Sequence, residues 1–416
     1  MELKRVVVTG MGAITPIGNS VKEYWDGLVN GVSGAKPITR FDATNFKTKF
    51  ACEVKGFNPE DYLDRKEVRK TDLFAQFAIA ASEQAIQDSG LNLEKIDLDE
   101  SGVIWGAGIG GIITFMEEVK GFVQGNGTPR FSPFFIPKMI TDIAAGLISM
   151  RYGFRGPNYA TVSACASSTH AISDAYNLIR LGKGKVFVTG GSEAAINEAG
   201  VGGFNSLQAL STRNDDPSTA SRPFDKDRDG FVIGEGAGAL ILEEYEHAVN
   251  RGARIYCEIR GTGMTADAYH LTAPHPEGLG ARKVMEAALK DGNIDPSEVD
   301  YINVHGTATP LGDIAETKAI IEVFGDHSYK MNISSTKSMT GHLLGGTGAI
   351  EAIASILAIQ NGIVPPTINH FTADPGLDPK LNLTFNKAQK RAVRVALSNT
   401  FGFGGHNACV ILKAFE

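Results

Sequence analysis

Four stretches of this sequence hold side chains capable of covalent chemistry. The first is Val162-Ser163-Ala164-Cys165-Ala166-Ser167-Ser168-Thr169, built around a lone cysteine. Residues 159–163 read as a short strand. The period then turns helical, with Ala171, Ile172, Ala175, Leu178 and Ile179 on one apolar face and Gly182 as a stop. A strand-to-helix turn of small residues exposes a nucleophile. The helix start favours the thiolate and lowers a pKa that begins at about 8.5 in the free residue. A small buried core cysteine has the same setting, and this stretch alone does not separate the two.

The other three stretches also sit at the carboxyl ends of strands, the edge where open α/β sheets bind ligands. Asn303-Val304-His305-Gly306-Thr307-Ala308-Thr309-Pro310 places His305 and two hydroxyls after an apolar strand. Ser335-Thr336-Lys337-Ser338-Met339-Thr340-Gly341-His342 places a lysine and a histidine before a long helix containing Glu351. Asn399-Thr400-Phe401-Gly402-Phe403-Gly404-Gly405-His406 is glycine-rich. Any one of these histidines alone is more commonly a satisfied structural residue. One nucleophile, two histidines and a glycine-rich loop are together the parts for acyl chemistry. Neither histidine has an Asp or Asn partner of the protease type nearby in sequence. His342 precedes a helix, where the dipole disfavours a charged ring. Two neutral imidazoles aimed at one oxygen can hold an enolate, each donor contributing about 3–4 kcal/mol.

The elements that must position these groups alternate. Strands are expected at 5–9, 101–105, 159–163, 185–189 and 236–243. From about 250 the pattern begins again, with strands at 255–260, 301–305, 332–335, 393–398 and 408–413. Helices are expected at 21–29, 70–88, 112–122, 139–150, from 165 onward, and at 278–291, 314–324 and 346–360. Alternation of this kind implies parallel sheets covered by helices. Two runs of similar length imply a duplicated α/β architecture, residues 1–252 carrying the cysteine and 253–416 the two histidines, with only weak pattern similarity between them.

Composition narrows the class. A chain of 416 residues, 43% hydrophobic and 21% charged, is globular with a large core. A net charge of −7 argues against nucleic-acid binding. No 18-residue apolar run and no signal-peptide pattern occur, so neither membrane insertion nor export is expected. The four cysteines are far apart with no C-x-x-C, which implies free thiols in a reducing cytoplasm and no cysteine zinc cluster.

Three tempting motifs fail. Gly106-x-Gly108-x-x-Gly111 follows a strand and opens a helix, but the acidic residue of a dinucleotide site is missing, which leaves close backbone packing. Asp225-x-Asp227-x-Asp229-Gly230 opens like a calcium loop, yet the glutamate is one position early at Glu235. Gly402-Phe403-Gly404-Gly405 lacks the Gly-Lys-Ser/Thr end of a phosphate loop. No metal site is expected.

Taken together, these residues resemble the bacterial β-ketoacyl-acyl-carrier-protein synthases, nearest the type II condensing enzymes of fatty-acid elongation. The resemblance runs over essentially the whole chain. It rests on the cysteine elbow, His305-Gly306-Thr307, Lys337 to His342, Gly402 to Gly405, and Arg222-Pro223-Phe224-Asp225 to Phe231. It implies a thiolase-like fold, two similar halves in five α-β-α-β-α layers, and a homodimer. It implies that Cys165 takes an acyl chain from the phosphopantetheine arm of an acyl carrier protein. No cofactor of the enzyme's own is required, because the arm arrives with the substrate. The N–H groups of Cys165 and Phe403 would form an oxyanion hole. His305 and His342 would hold the enolate left by decarboxylation of malonyl-carrier protein. Lys337 would orient His342 and pair with Glu351, with Asp313 in support. Thr307 and Thr309 would bond the pantetheine amides, and Phe403 with Phe401 would gate the two half-reactions. Ile109 would set acyl-pocket depth, and Arg65, Lys66, Arg69 and Lys70 would dock the carrier protein. The chain departs from the family in Ser167-Ser168-Thr169, more polar than the common Thr-Gly-Thr, and in His406, where threonine is frequent. A cysteine hydrolase, a thiolase with Cys409 as base, a non-condensing partner subunit and the type I synthase are the competing readings.

Overall fold

In the computed structural model, which describes residues 3–415, ten strands form one continuous sheet. They are β1 Val6–Ile14, β2 Ser101–Gly106, β3 Asn158–Thr161, β4 Val186–Glu193, β5 Gly236–Glu244, β6 Cys257–Ala266, β7 Tyr301–Asn303, β8 Asn332–Ser334, β9 Val395–Gly402 and β10 His406–Ala414. Their spatial order is β8-β7-β9-β10-β6-β1-β5-β4-β2-β3. Adding five to each strand of the first half gives its counterpart in the second, in the same order outward from the β1–β6 seam. The directions repeat too. β2, β3 and β4 run parallel, as do β7, β8 and β9, while β5 and β10 are antiparallel to their neighbours. The all-parallel expectation is therefore corrected to two mixed five-stranded halves. β9 and β10 are joined by the hairpin at 403–405, so they must run antiparallel. The halves meet through Val6–Val8 and Cys257–Ile259.

The helices that position the site are α1 Arg65–Lys70, α2 Leu73–Ser89, α3 Ile112–Gln124, α4 Ser167–Arg180, α5 Leu279–Gly292, α6 Pro310–Phe324 and α7 Thr347–Asn361. α4 and α7 pack on each other and on strands of both halves, forming the central layer. α2 covers the far face of β1 and β5, and α5 that of β6 and β10. Strands buried on both faces send alternate side chains to different cores. Ile104 and Phe187 join the central cluster, whereas Val103, Trp105 and Val188 join the one under α2. Ile302, Leu397 and Ile411 pack under α5 and α6. Every residue of α7 from Thr347 to Ala358 is buried, the expected state of a helix enclosed on all sides.

The expected 70–88 helix is α2, which starts three residues late at Leu73, behind the separate short α1 that carries the basic run. Thr71 breaks the run in an extended conformation, and Asp72 caps α2 by accepting from the Phe74 N–H. The expected 139–150 helix runs Ile143–Tyr152, and a further short helix, Phe135–Met139, precedes it. A short helix at Glu198–Ser206 escaped the periodicity because glycines interrupt its apolar face.

Candidate active site

The elbow folds as the small residues allow. Ala164 sits at φ 51, a single 3₁₀ turn spans Ala164–Ala166, and α4 begins at Ser167. Ser167 donates to the Ala164 carbonyl at 2.7 Å and accepts the Ser163 N–H at 2.9 Å, closing the turn. Ser168, one of the polar departures, accepts the Ala349 N–H at 3.1 Å and so ties the elbow to the first turn of α7. Thr400 donates to Thr169 at 2.8 Å, fixing β9 beside α4.

Cys165 lines a cavity of about 590 Å³ together with His305, His342, Phe401 and Phe403. Its sulfur lies 3.0 Å from His342 Nε2. The His342 and His305 rings meet edge to face with centroids 5.3 Å apart. Phe401 lies 5.5 Å from His305, and Phe231 lies edge-on to His342 at 5.3 Å. Ile109, 38% exposed, and Thr307 and Thr309 line the same cavity. The two threonine hydroxyls are 3.2 Å apart.

Burial dominates the electrostatics. It pushes the Cys165 thiol up to about 12, beyond the opposing pull of Lys337 and of the N–H groups of Phe403 and Cys165 itself, which face the sulfur. The helix start therefore does not make the resting group a thiolate, contrary to the sequence expectation. Burial and the Lys337 charge hold His342 well below the ordinary imidazole range. The same causes, with His342, act on His305. Both rings are neutral at physiological pH.

The backing groups are charged. Lys337 and Glu351 form a buried ion pair at 2.5 Å. The lysine's hydrogen bond goes to that carboxylate, while His342 Nδ1 is partnered by Thr347 Oγ1 at 2.9 Å, at the start of α7. Asp313 accepts the Phe224 and Ala308 N–H groups at 2.8 and 3.2 Å and lies 3.4 Å from Arg228. This is where the aspartate-rich 225–229 stretch goes. Asp225 is itself taken up by the N–H groups of Phe371 and Thr372.

Two carboxylates were missed. Glu316 accepts the N–H groups of His305 and Gly306, both at 2.9 Å, and so fixes the backbone that carries His305. Its signal was available, since Asp313 and Glu316 are three apart at a helix start and share one face. Glu193 ends a fully buried strand, where a lone charge demands partners. Those partners are backbone N–H groups of the Gly106–Gly111 motif and of Gly345.

The basic run forms α1, with Arg65, Lys66, Arg69 and Lys70 all exposed. Arg65 pairs with Glu60 at 3.2 Å and Lys70 lies over the Phe134 ring. Among the described residues, no group of three His, Cys, Asp or Glu is arranged to hold a metal ion, and no helix is long and apolar enough to cross a membrane.

Residues 3–248 match the family description "Beta-ketoacyl synthase, N-terminal domain", and residues 256–371 match "Beta-ketoacyl synthase, C-terminal domain". The chain is 52% identical over 418 residues to the 3-oxoacyl-[acyl-carrier-protein] synthase 2 of Synechocystis sp., covering 100% of this chain and 99% of that one. It is 48% identical over 413 residues to the enzyme of the same name from Coxiella burnetii, covering 99% of each. A solved beta-ketoacyl synthase from Burkholderia phymatum superposes with a TM-score of 0.92 at 35% identity, over 99% of this chain and 100% of that one. A ketosynthase solved in complex with its type II PKS acyl-carrier protein superposes with a TM-score of 0.91 at 34% identity, over 100% of each chain.

Proposed function

The chain belongs to the beta-ketoacyl synthase family, and from that premise we propose how it extends an acyl chain by two carbons as a 3-oxoacyl-[acyl-carrier-protein] synthase of the type II kind. The observation that carries the proposal is the placement of one thiol 3.0 Å from a neutral imidazole, with a second imidazole edge-on to the first.

Acyl transfer comes first. The Cys165 sulfur attacks the thioester carbonyl of the acyl-carrier protein. The N–H groups of Cys165 and Phe403 hold the oxyanion, the pantetheine thiolate leaves, and the cysteine proton passes to it. A thiol raised to about 12 reacts only as its proton passes to the departing thiolate, while His342 Nε2, 3.0 Å from the sulfur, keeps its own N–H for the enolate step. Malonyl-carrier protein then enters and its carboxylate departs as carbon dioxide, leaving the electron pair as an enolate. The N–H donors of His305 and His342 hold that oxygen. Neutral rings suit this role, because a donor that keeps its proton stabilises the enolate without quenching it. The enolate carbon attacks the acyl-cysteine, the Cys165 thiolate leaves and takes a proton from solvent, and 3-oxoacyl-carrier protein is released.

Around this cycle Lys337, Glu351 and Asp313 maintain the charge balance behind the rings. Thr307 and Thr309 bond the pantetheine amides, Ile109 limits pocket depth, and Phe403 with Phe401 gates entry. The exposed α1 cations meet the acidic carrier protein, raising the encounter rate despite the chain's negative charge. The enzyme uses no cofactor of its own. We propose a cytoplasmic homodimer joined along β3, where Tyr159 of the strand and Val162 just after it are exposed at the end of the sheet. The test is reconstituted elongation across acyl-carrier-protein chain lengths, with mass detection of the acyl-enzyme. Cys165→Ala abolishes elongation. His305→Ala and His342→Ala block malonyl decarboxylation while acyl transfer stays measurable. Normal decarboxylation in both variants would contradict the enolate-holding role of the two imidazoles, and release of free acid in water would favour a hydrolase.

A further inference from the structure

Glu193 is fully buried at the end of β4, with no cation hydrogen-bonded or ion-paired to it among the described residues. Its Oε2 accepts the N–H groups of Gly108 at 2.8 Å and Gly345 at 3.0 Å, and its Oε1 those of Ile109 at 3.0 Å and Gly110 at 3.1 Å. Burial raises the Glu193 carboxyl and the four N–H donors oppose it. With both oxygens accepting two N–H groups each, no acceptor faces a carboxyl proton, and the group is held as an anion by amides alone. Three of the donors are consecutive, forming a nest. Glycine is required where the carboxylate is closest. A Cβ on Gly108 would lie 2.8 Å from Oε2 and one on Gly345 2.7 Å from it. The glycine motif that failed as a dinucleotide loop is thus a cradle for an internal carboxylate.

The two ends of this clasp belong to different halves. Gly108–Gly110 carries Ile109 into the acyl pocket, and Gly345 follows His342 by three residues. The repeat makes the second contact specific. In the first half Ala164 at φ 51 opens the 3₁₀ turn that bears Cys165 and leads into α4. In the second half Leu344 at φ 48 opens the 3₁₀ turn that bears Gly345 and leads into α7. The Gly345 N–H is therefore the counterpart of the Cys165 N–H, and Glu193 fills the counterpart of the oxyanion hole.

We propose that Glu193 is a positioning residue that sets pocket depth and His342 placement together, by clasping the Ile109 loop to the turn after His342. The proposal rests on the condensing activity. Glu193→Gln presents an NH₂ group to two of the four donors and frees the loop from the turn. Its expected result is a roughly tenfold loss of discrimination between short and long acyl-carrier proteins, together with slower malonyl decarboxylation. The Glu193 charge also raises the Cys165 thiol. Removing it lets the thiolate form at lower pH, so the iodoacetamide profile of Cys165 shifts to the acid side, a readout that mere loosening does not move. Gly108→Ala keeps the charge but displaces the loop. It changes chain-length discrimination and leaves the alkylation profile as in the wild type, and it carries the test if Glu193→Gln does not fold. Wild-type discrimination in folded Glu193→Gln or in Gly108→Ala overturns the proposal, as does an unshifted alkylation profile in Glu193→Gln. Failure of the wild type to elongate any acyl-carrier protein would sink the functional reading instead, and the alkylation profile would still report on Glu193.

Discussion

At the scale of single residues, the pH behaviour belongs to carboxylates, not histidines. Both imidazoles are held far below their ordinary range, so neither changes charge between about pH 6 and 8. Burial raises Glu316 and Glu351 to about 7, against the N–H donors of Gly306 and His305 in the first case and against Lys337 in the second. A protonated Glu316 has one oxygen that donates, so one of the two N–H groups at His305 and Gly306 loses its acceptor. Malonyl decarboxylation is therefore expected to fall as pH drops through about 7. Glu316→Gln fixes the state that protonation produces, with one acceptor for two N–H groups, so the limb near pH 7 is lost and the rate stays on a roughly tenfold lower plateau. An unmoved limb in a pH–rate series would assign it elsewhere. The linkage to stability has two signs. The raised glutamates stabilise the fold at low pH and lose that contribution as pH rises through about 7. The depressed histidines work oppositely, their contribution present above about 6.5 and lost on acidification.

The Lys337–Glu351 pair is a second test at this scale. Removing only the lysine leaves a buried carboxylate without its cation, which costs about 3–5 kcal/mol. Lys337→Met should lower urea stability by that order. Lys337→Met with Glu351→Leu should recover most of it without restoring decarboxylation, a coupling that a double-mutant cycle measures. A stable single variant would mean that the pair is not the buried unit its 2.5 Å contact describes. The reacting groups were legible in the sequence because each follows the carboxyl end of a strand, the edge where an α/β sheet places its site. Their partners were not. Glu316 binds 11 residues back in the chain, but Glu193 binds residues 83 to 152 away, and spacing does not reveal that.

At the scale of elements, helix and strand are held together by absent side chains. Gly10 and Gly12 on β1 let α2 approach until a Cβ would lie 2.2 and 2.0 Å from the carbonyls of Ala85 and Ala81. Gly261 and Gly263 on β6 do the same against Ala288 and Val284 of α5, at 2.5 and 2.2 Å. The pairs occupy equivalent strands, so Gly-x-Gly is a trace of the duplication. It is too short to stand out in sequence, and its meaning depends on which helix covers the strand. Gly12→Ala or Gly263→Ala should destabilise by about 1–3 kcal/mol, because only backbone can move aside. Gly121→Ala in α3 meets nothing within 4 Å and should stabilise by about 0.5–1 kcal/mol. Melting temperatures that rank these variants otherwise would contradict the close approach. Strand positions were readable for a related reason, since double burial writes continuous apolar runs. Strand direction was not, because a loop's path leaves no period in the chain.

At the scale of the whole molecule, the two ends of the sheet differ. β8 is buried and bridged at Asn332 by Asn382. β3 is open, with Tyr159 40% exposed and Val162, just past its end, 59%. An uncovered edge carries a row of free N–H and C=O groups that a second copy can pair, and β3 bears neither lysine nor proline to prevent it. The strand also runs within four residues into Cys165, through Ala164 in a left-handed conformation that non-glycine residues adopt at a cost of about 1–2 kcal/mol. Such strain persists only where surroundings over-determine it, and a second copy along β3 would supply part of them. The wild type should sediment at twice the 44.3 kDa chain mass. Asn158→Lys with Val162→Lys places like charges across the symmetric contact and should give a monomer with a preserved circular-dichroism spectrum. Condensation should then fall because the elbow loosens, while a chain that sediments as a monomer at full activity would show that the elbow is held by its own fold alone.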